Sequence, residues 1–182
     1  YCSAGDNNRI TKLISELGIK VHQITYNETL SERESILKRF SNGEIEVLVA
    51  IKCLDEGVDI PSTEIAYFLA STSNPREFVQ RRGRILRTFK GKISSSIYDF
   101  IVFPSLNIDS KIGVLYENNK KIISKEMPRF AEFSLYSINR FYSREIIRNY
   151  LREYNLEYLM DKLPWDVYNE MKEEFFDEKN AY

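Results

Sequence analysis

Apolar residues return at Ile10, Leu13, Ile14 and Leu17. These three- and four-residue steps predict a helix with one buried side, and Gly18 follows as its stop. Residues 20–25 alternate like a strand, with Val21 and Ile24 apolar. Ile36, Leu37 and Phe40 then restore the helical step. Ser31-Glu32-Arg33-Glu34 opens that segment as a capping box, and Asn42-Gly43 closes it. The next run is different in kind. Glu46-Val47-Leu48-Val49-Ala50-Ile51 is almost continuously apolar, as a parallel strand covered on both faces must be. Residues 63–70 and 94–103 repeat that pattern. Strand and helix alternate to about residue 104, which predicts an α/β domain, a mostly parallel sheet flanked by helices. In such sheets ligands gather beyond the carboxyl ends of the strands.

From residue 105 the pattern changes. This part holds 14 of the 24 aromatic residues and a single glycine, Gly113, so it packs by different means from the body. Residues 130–158 carry apolar positions three and four apart. Leu163-Pro164-Trp165 breaks the pattern and starts a final helix with an acidic end. The expected division is a layered domain over 1–104 and an all-helical extension over 105–182. Tyr1-Cys2-Ser3-Ala4-Gly5 reads as the end of a strand running into a turn, with no strand body ahead of it. The expectation is a piece of a longer chain.

The chemistry concentrates in residues 74–87. Asn74 can cap, Pro75 suits the first helical position, and Glu77 stands three after the cap. At about 100° per residue Gln80, Arg84 and Arg87 share one side, with Phe78, Val79, Ile85 and Leu86 opposite. Arg82 falls among the apolar positions, so it must snorkel or the helix must break near Gly83. Five arginines lie between Arg76 and Arg87, and no acid follows Glu77 until Asp99. A face of that kind suits an anion, and guanidinium forks suit phosphate. A basic surface helix without a ligand is the plain alternative.

Composition narrows the choices. One histidine, His22, rules out histidine-rich metal sites and His-paired nucleophiles. Cys2 and Cys53 imply no disulfide framework. No apolar run approaches a membrane span and no signal peptide opens the chain, which points to an intracellular, cytoplasmic protein without a membrane partner. The net charge of −1 confines any nucleic-acid surface to a patch. No phosphate loop occurs, and Gly91-Lys92 is not one. Asp55, Glu56 and Asp59 follow the buried strand in a glycine-bearing loop. They admit a divalent metal site, acid–base work, hydrogen bonds to a ligand hydroxyl, or simple helix capping. Arg140, Arg144, Arg148 and Arg152 make a slowly turning stripe. It is read as a solvated face in preference to a nucleic-acid track.

These residues resemble a known family. The stretch 47–61, with Asp55-Glu56-Gly57-Val58-Asp59-Ile60-Pro61, resembles motif V of superfamily 2 helicases. Gln80-Arg81-Arg82-Gly83-Arg84-Ile85-Leu86-Arg87 resembles their motif VI, and Tyr1-Cys2-Ser3-Ala4 the tail of motif IV. The wording is most similar to the XPB-like branch of DNA helicases, and the likeness covers residues 1–104. It implies the C-terminal RecA-like lobe of a DEAD/DEAH-type motor. ATP with Mg²⁺ is then held mainly by an N-terminal RecA-like lobe of the same chain. By position, the resemblance makes Gln80, Arg84 and Arg87 the catalytic groups, with Arg84 and Arg87 as arginine fingers. It places Gly57 and Asp59 at the nucleotide, and Ser3 and Lys52 at a nucleic-acid backbone, DNA in preference to RNA. Ile51 stands where many relatives carry a hydroxyl, which weakens the implied backbone grip. An arginine finger is worth about 10³–10⁵ in rate. Two other roles stay open: an interaction or regulatory module built on such a lobe, and the motor of a restriction or phage-defence complex.

Overall fold

A computed structural model of the chain describes residues 1–3, 5–50, 60, 62–69, 74–104 and 113–170. The chain divides into two compact units, Tyr1–Thr72 with Arg76–Phe100, and Ser73–Pro75 with Ile101–Tyr182.

The first unit alternates helices and strands in the order α1 (Asn7–Glu16), β1 (Val21–Ile24), α2 (Leu30–Ser41), β2 (Val47–Ala50), β3 (Ile65–Phe68), α3 (Pro75–Ile85) and β4 (Ser96–Asp99). Both strand pairs are parallel. Val21 to Ile24 lie opposite Val47 to Ala50, and Ile65 to Phe68 opposite Ser96 to Asp99. Residues 1–2 join the pairs. The Cys2 N–H donates to the Ala50 carbonyl at 3.0 Å, and the Tyr1 carbonyl accepts from Leu69 N–H at 2.9 Å. The α/β expectation with a parallel sheet is therefore borne out.

Local chemistry sets the element ends. Gly43 ends α2 at φ 76°, its N–H bonding to Phe40 and that of Glu44 to Arg39. That is a Schellman stop, which favours glycine. The start of α2 differs from the expected one. Thr29 is the N-cap, and its side chain and backbone trade hydrogen bonds with Glu32. Two overlapping Ser/Thr-x-x-Glu patterns compete here, and the earlier one adds half a turn to the helix. The core beside α2 gathers Ile24, Ile36, Ile45 and Ala50, with Leu37, Phe40 and Leu48 packed against them. Full burial of one such side chain stabilises by about 1.5–3 kcal/mol.

The strand expected over 94–103 is only Ser96–Asp99. Ile93 is fully exposed, and Ile101 and Phe103 pack against the core of the second unit instead. Those two residues leave the sheet because a second apolar cluster takes them.

In the described residues the second unit is helical: α4 (Val114–Leu135), α5 (Arg140–Glu153), a 3-10 turn (Glu157–Met160) and a helix beginning at 164–170. The helical spacing noted in the sequence begins at residue 130, within α4, which itself begins at Val114. In the structure Pro128 is buried within α4. It forfeits one i→i−4 bond, and its ring still fills the core. Ile123, Met127, Leu151 and Tyr154 are fully buried around it. Asn119 donates to the Tyr154 hydroxyl at 3.2 Å, which satisfies that buried oxygen. α5 stops at Asn155, φ 55°, with Leu156 N–H on the Leu151 carbonyl.

Candidate functional site

α3 carries the proposed chemistry, so its orientation decides the site. Proline opens the helix at Pro75, where a missing N–H costs nothing. Phe78 and Ile85 are buried, at 0% and 6% exposed, and fix which side faces inward. Arg81 shares that inner arc and is itself 4% exposed. Its guanidinium meets the Glu77 carboxylate at 3.3 Å and lies 5.5 Å from the centre of the Tyr1 ring. Leu86, expected inside, is 49% exposed. The inner arc is thus rotated toward Arg81 relative to the arc read from apolar residues alone. The helix does not break at Gly83 but runs through it to Ile85, and Arg82 is half-buried.

Gln80 is exposed, and Arg84, one turn later, is half-buried and lines a cleft beside Ile85 and β3. Arg87 is exposed and stands two residues beyond the helix end. It therefore belongs to the segment leaving α3 and not to its face. That segment is anchored. The Lys92 ammonium donates to the carbonyls of Ile85 and, at 3.0 Å, Arg87. The Ser95 hydroxyl donates to Ile85 O at 3.0 Å. These donors satisfy carbonyls that a helix end leaves open, and a cation there suits the helix dipole. Burial lowers the Lys92 pKa, with Glu64 acting in the opposite direction. Sequence reasoning missed Arg81, Lys92 and Ser95. A lysine a few residues past a helix end was the available signal for Lys92.

The other expected site residues divide into two groups. Lys52, Gly57 and Asp59 lie outside the described residues, as do Asp55, Glu56 and Cys53. Ser3 is half-buried, and its hydroxyl donates to the Asp6 carboxylate just ahead of α1. Among the described residues no cluster of three His, Cys, Asp or Glu could hold a metal, and no helix is long and apolar enough to cross a membrane. The arginine stripe of α5 is largely engaged. Arg144 bonds to Asp161 at 3.0 Å, Arg152 to Glu157 at 2.9 Å, and Arg148 approaches Glu145 at 3.9 Å. His22 is half-buried in β1, its Nδ1 2.8 Å from the Gln23 carbonyl.

Set beside known proteins, residues 2–89 match the family described as helicase conserved C-terminal domain. The DNA 3'-5' translocase XPB2 of Sulfurisphaera tokodaii is 45% identical over 64 residues, 35% of this chain and 15% of that protein. UvrABC system protein B of Fusobacterium nucleatum is 26% identical over 144 residues, 76% of this chain and 21% of that one. The chain thus spans a small part of either relative. In fold it is similar to the RNA helicase Prp28 from Chaetomium thermophilum bound to ADP. That match has a TM-score of 0.51 at 18% identity, over 74% of this chain and 29% of that chain.

Proposed function

Since residues 2–89 belong to the helicase conserved C-terminal domain family, the C-terminal lobe of superfamily 2 helicases, we propose that this chain is the second motor lobe of an ATP-dependent DNA helicase or translocase. The observation that carries the reading is α3 and its exit. Gln80 and Arg84 stand one turn apart, and Arg87 follows on a segment that Lys92 and Ser95 hold in place.

In this reading ATP supplies the phosphoanhydride, and Mg²⁺ offsets part of its charge. The residues present fit half of such a site. They offer an amide and two guanidinium forks, and no carboxylate cluster for the metal among the described residues. Arg84 and Arg87 act as arginine fingers, set against the negative charge that develops on the transferred oxygens. Gln80 orients the attacking water by hydrogen bonding. By the family resemblance, Asp59 would hydrogen-bond the ribose, Gly57 would allow close backbone approach to the nucleotide, and Ser3 and Lys52 would take part of the backbone grip on DNA. The phosphate loop and the acids that hold Mg²⁺ come from a first RecA-like lobe. Closing the two lobes brings the fingers to the nucleotide, which ties hydrolysis to movement along a strand. DNA is favoured over RNA by the likeness to the DNA 3'-5' translocase XPB2.

The reading makes a direct expectation. With ATP, Mg²⁺ and single-stranded DNA, this chain alone gives no turnover above background. Joined to a lobe with a phosphate loop, it gives turnover that DNA stimulates. Stimulation by RNA alone overturns the DNA assignment. No stimulation by either nucleic acid overturns the motor reading and favours an interaction module.

A further inference from the structure

Exposed aromatic rings crowd one corner of the second unit, where α4 gives way to α5. Tyr136, Phe141 and Tyr142 are 70%, 76% and 72% exposed, and Ile138 between them is fully exposed. One large apolar side chain left in water is ordinary, whereas a group of them within residues 136–142 marks a binding surface. The orientation of α5 produces the crowding. Leu151 and Tyr154 lie in the core of this unit, and Ile147 packs against it. At about 100° per residue, Phe141 and Tyr142 then fall on either side of the line that faces away from that core.

The charge around the rings is mostly of one sign. Residues 135–152 hold four arginines, Arg140, Arg144, Arg148 and Arg152, against one acid, Glu145, in a chain whose net charge is −1. Two of the four serve the unit itself, Arg144 bonding to Asp161 and Arg152 to Glu157. The other two stand beside the rings. The Arg140 guanidinium lies 4.5 Å from the centre of the Phe141 ring. Arg148 follows Phe141 by two helical turns on the same side, about 10 Å along the axis. Its side chain is 46% exposed, with the Glu145 carboxylate at 3.9 Å.

Flat apolar faces beside cations suit one class of ligand above others. A base stacks on a ring whatever its identity, because every base has a π-face, and guanidinium groups meet the phosphates that link the bases. A duplex keeps its base faces stacked inside, so the ligand is a single strand. An apolar protein pocket would take Ile138 but leave the arginine surplus unanswered. We propose that the α4–α5 corner binds single-stranded nucleic acid. Phe141 and Tyr142 are the stacking platforms for bases, with Tyr136 beside them, and Arg140 and Arg148 are set for the phosphates. The site rests on the rings and cations of the second unit alone, so it stands or falls separately from the arginine fingers of α3.

The test is binding of a fluorescein-labelled oligothymidylate to this chain at low salt, read by fluorescence anisotropy. No ATP is present, so the result is independent of the motor reading. Phe141→Ala combined with Tyr142→Ala raises Kd by about tenfold or more. Both side chains are exposed, so the circular dichroism stays that of the parent. Arg140→Gln makes the slope of log Kd against log salt shallower by about 0.7, the share of one phosphate on a single strand. Tyr26→Ala, which removes a ring 80% exposed in the first unit, leaves Kd within about twofold. A double ring variant that binds within about twofold of the parent overturns the proposal, and so does an equal loss in Tyr26→Ala. An unchanged salt slope overturns the role of Arg140. A parent chain that takes up no oligothymidylate overturns the site altogether and gives the corner to a protein partner.

Discussion

Arg81 shows how a single residue can mislead a reading by type. It stands in a run of arginines that sequence alone assigns to a surface, yet its side chain is 5% exposed against Glu77 at 3.3 Å. Glu77 lies four residues earlier, a spacing that was legible. The Tyr1 ring lies far off in sequence and was not. Gln80 and Arg84 were legible because helical geometry fixes their shared side once Phe78 and Ile85 go inward. Arg87 was not placed correctly, because the helix stops before it. Replacing Arg81 by alanine removes its ion pair with Glu77 and leaves a void. Removing one partner of a fully buried pair costs about 3–5 kcal/mol. Glu77 is 30% exposed, so about 2–3 kcal/mol is expected, read as a lower urea midpoint. A loss below about 0.5 kcal/mol places Arg81 among ordinary surface residues.

Among the elements, α2 carries a sharp test of local chemistry. Its existence and buried face were plain from Ile36, Leu37 and Phe40. Its start was not, because Thr29-x-x-Glu32 and Ser31-x-x-Glu34 are equally good boxes and only the path of the preceding loop chooses between them. Glu28 accepts hydrogen bonds from Thr25, which shapes that loop ahead of Thr29. The hydrogen bonds from Thr29 hold the Glu32 carboxyl below its ordinary pKa. Thr29→Ala is expected to cost about 1 kcal/mol, and Ser31→Ala close to nothing. Thermal unfolding of the two variants checks this, and the reverse order contradicts the assignment of the cap. The first half of α4 carried no spacing that the sequence reading picked out. A proline ordinarily ends a helix, and only the core around Ile123 and Met127 accounts for its presence inside one.

At the scale of the whole molecule, two cores make two units. The change of composition near residue 105 led to an expected boundary at 104/105, whereas Ile101 and Phe103 pack against the second core. Trp165 is the single tryptophan, and it lies in the second unit. Met127→Ala should therefore lower the midpoint seen by tryptophan fluorescence, with a cost of about 2–5 kcal/mol. Ile24→Ala should lower the circular-dichroism transition of the first unit and leave the fluorescence midpoint in place. Equal shifts of both signals by either variant show one cooperative core.

The functional claim rests on Arg84, and one measurement reaches it most directly. In a protein that joins this lobe to a phosphate-loop lobe, Arg84→Lys keeps the charge and loses the fork. The account predicts that kcat for DNA-stimulated ATP hydrolysis falls by about 10³, while KM for ATP stays within about threefold. A kcat within about twofold of the parent contradicts it.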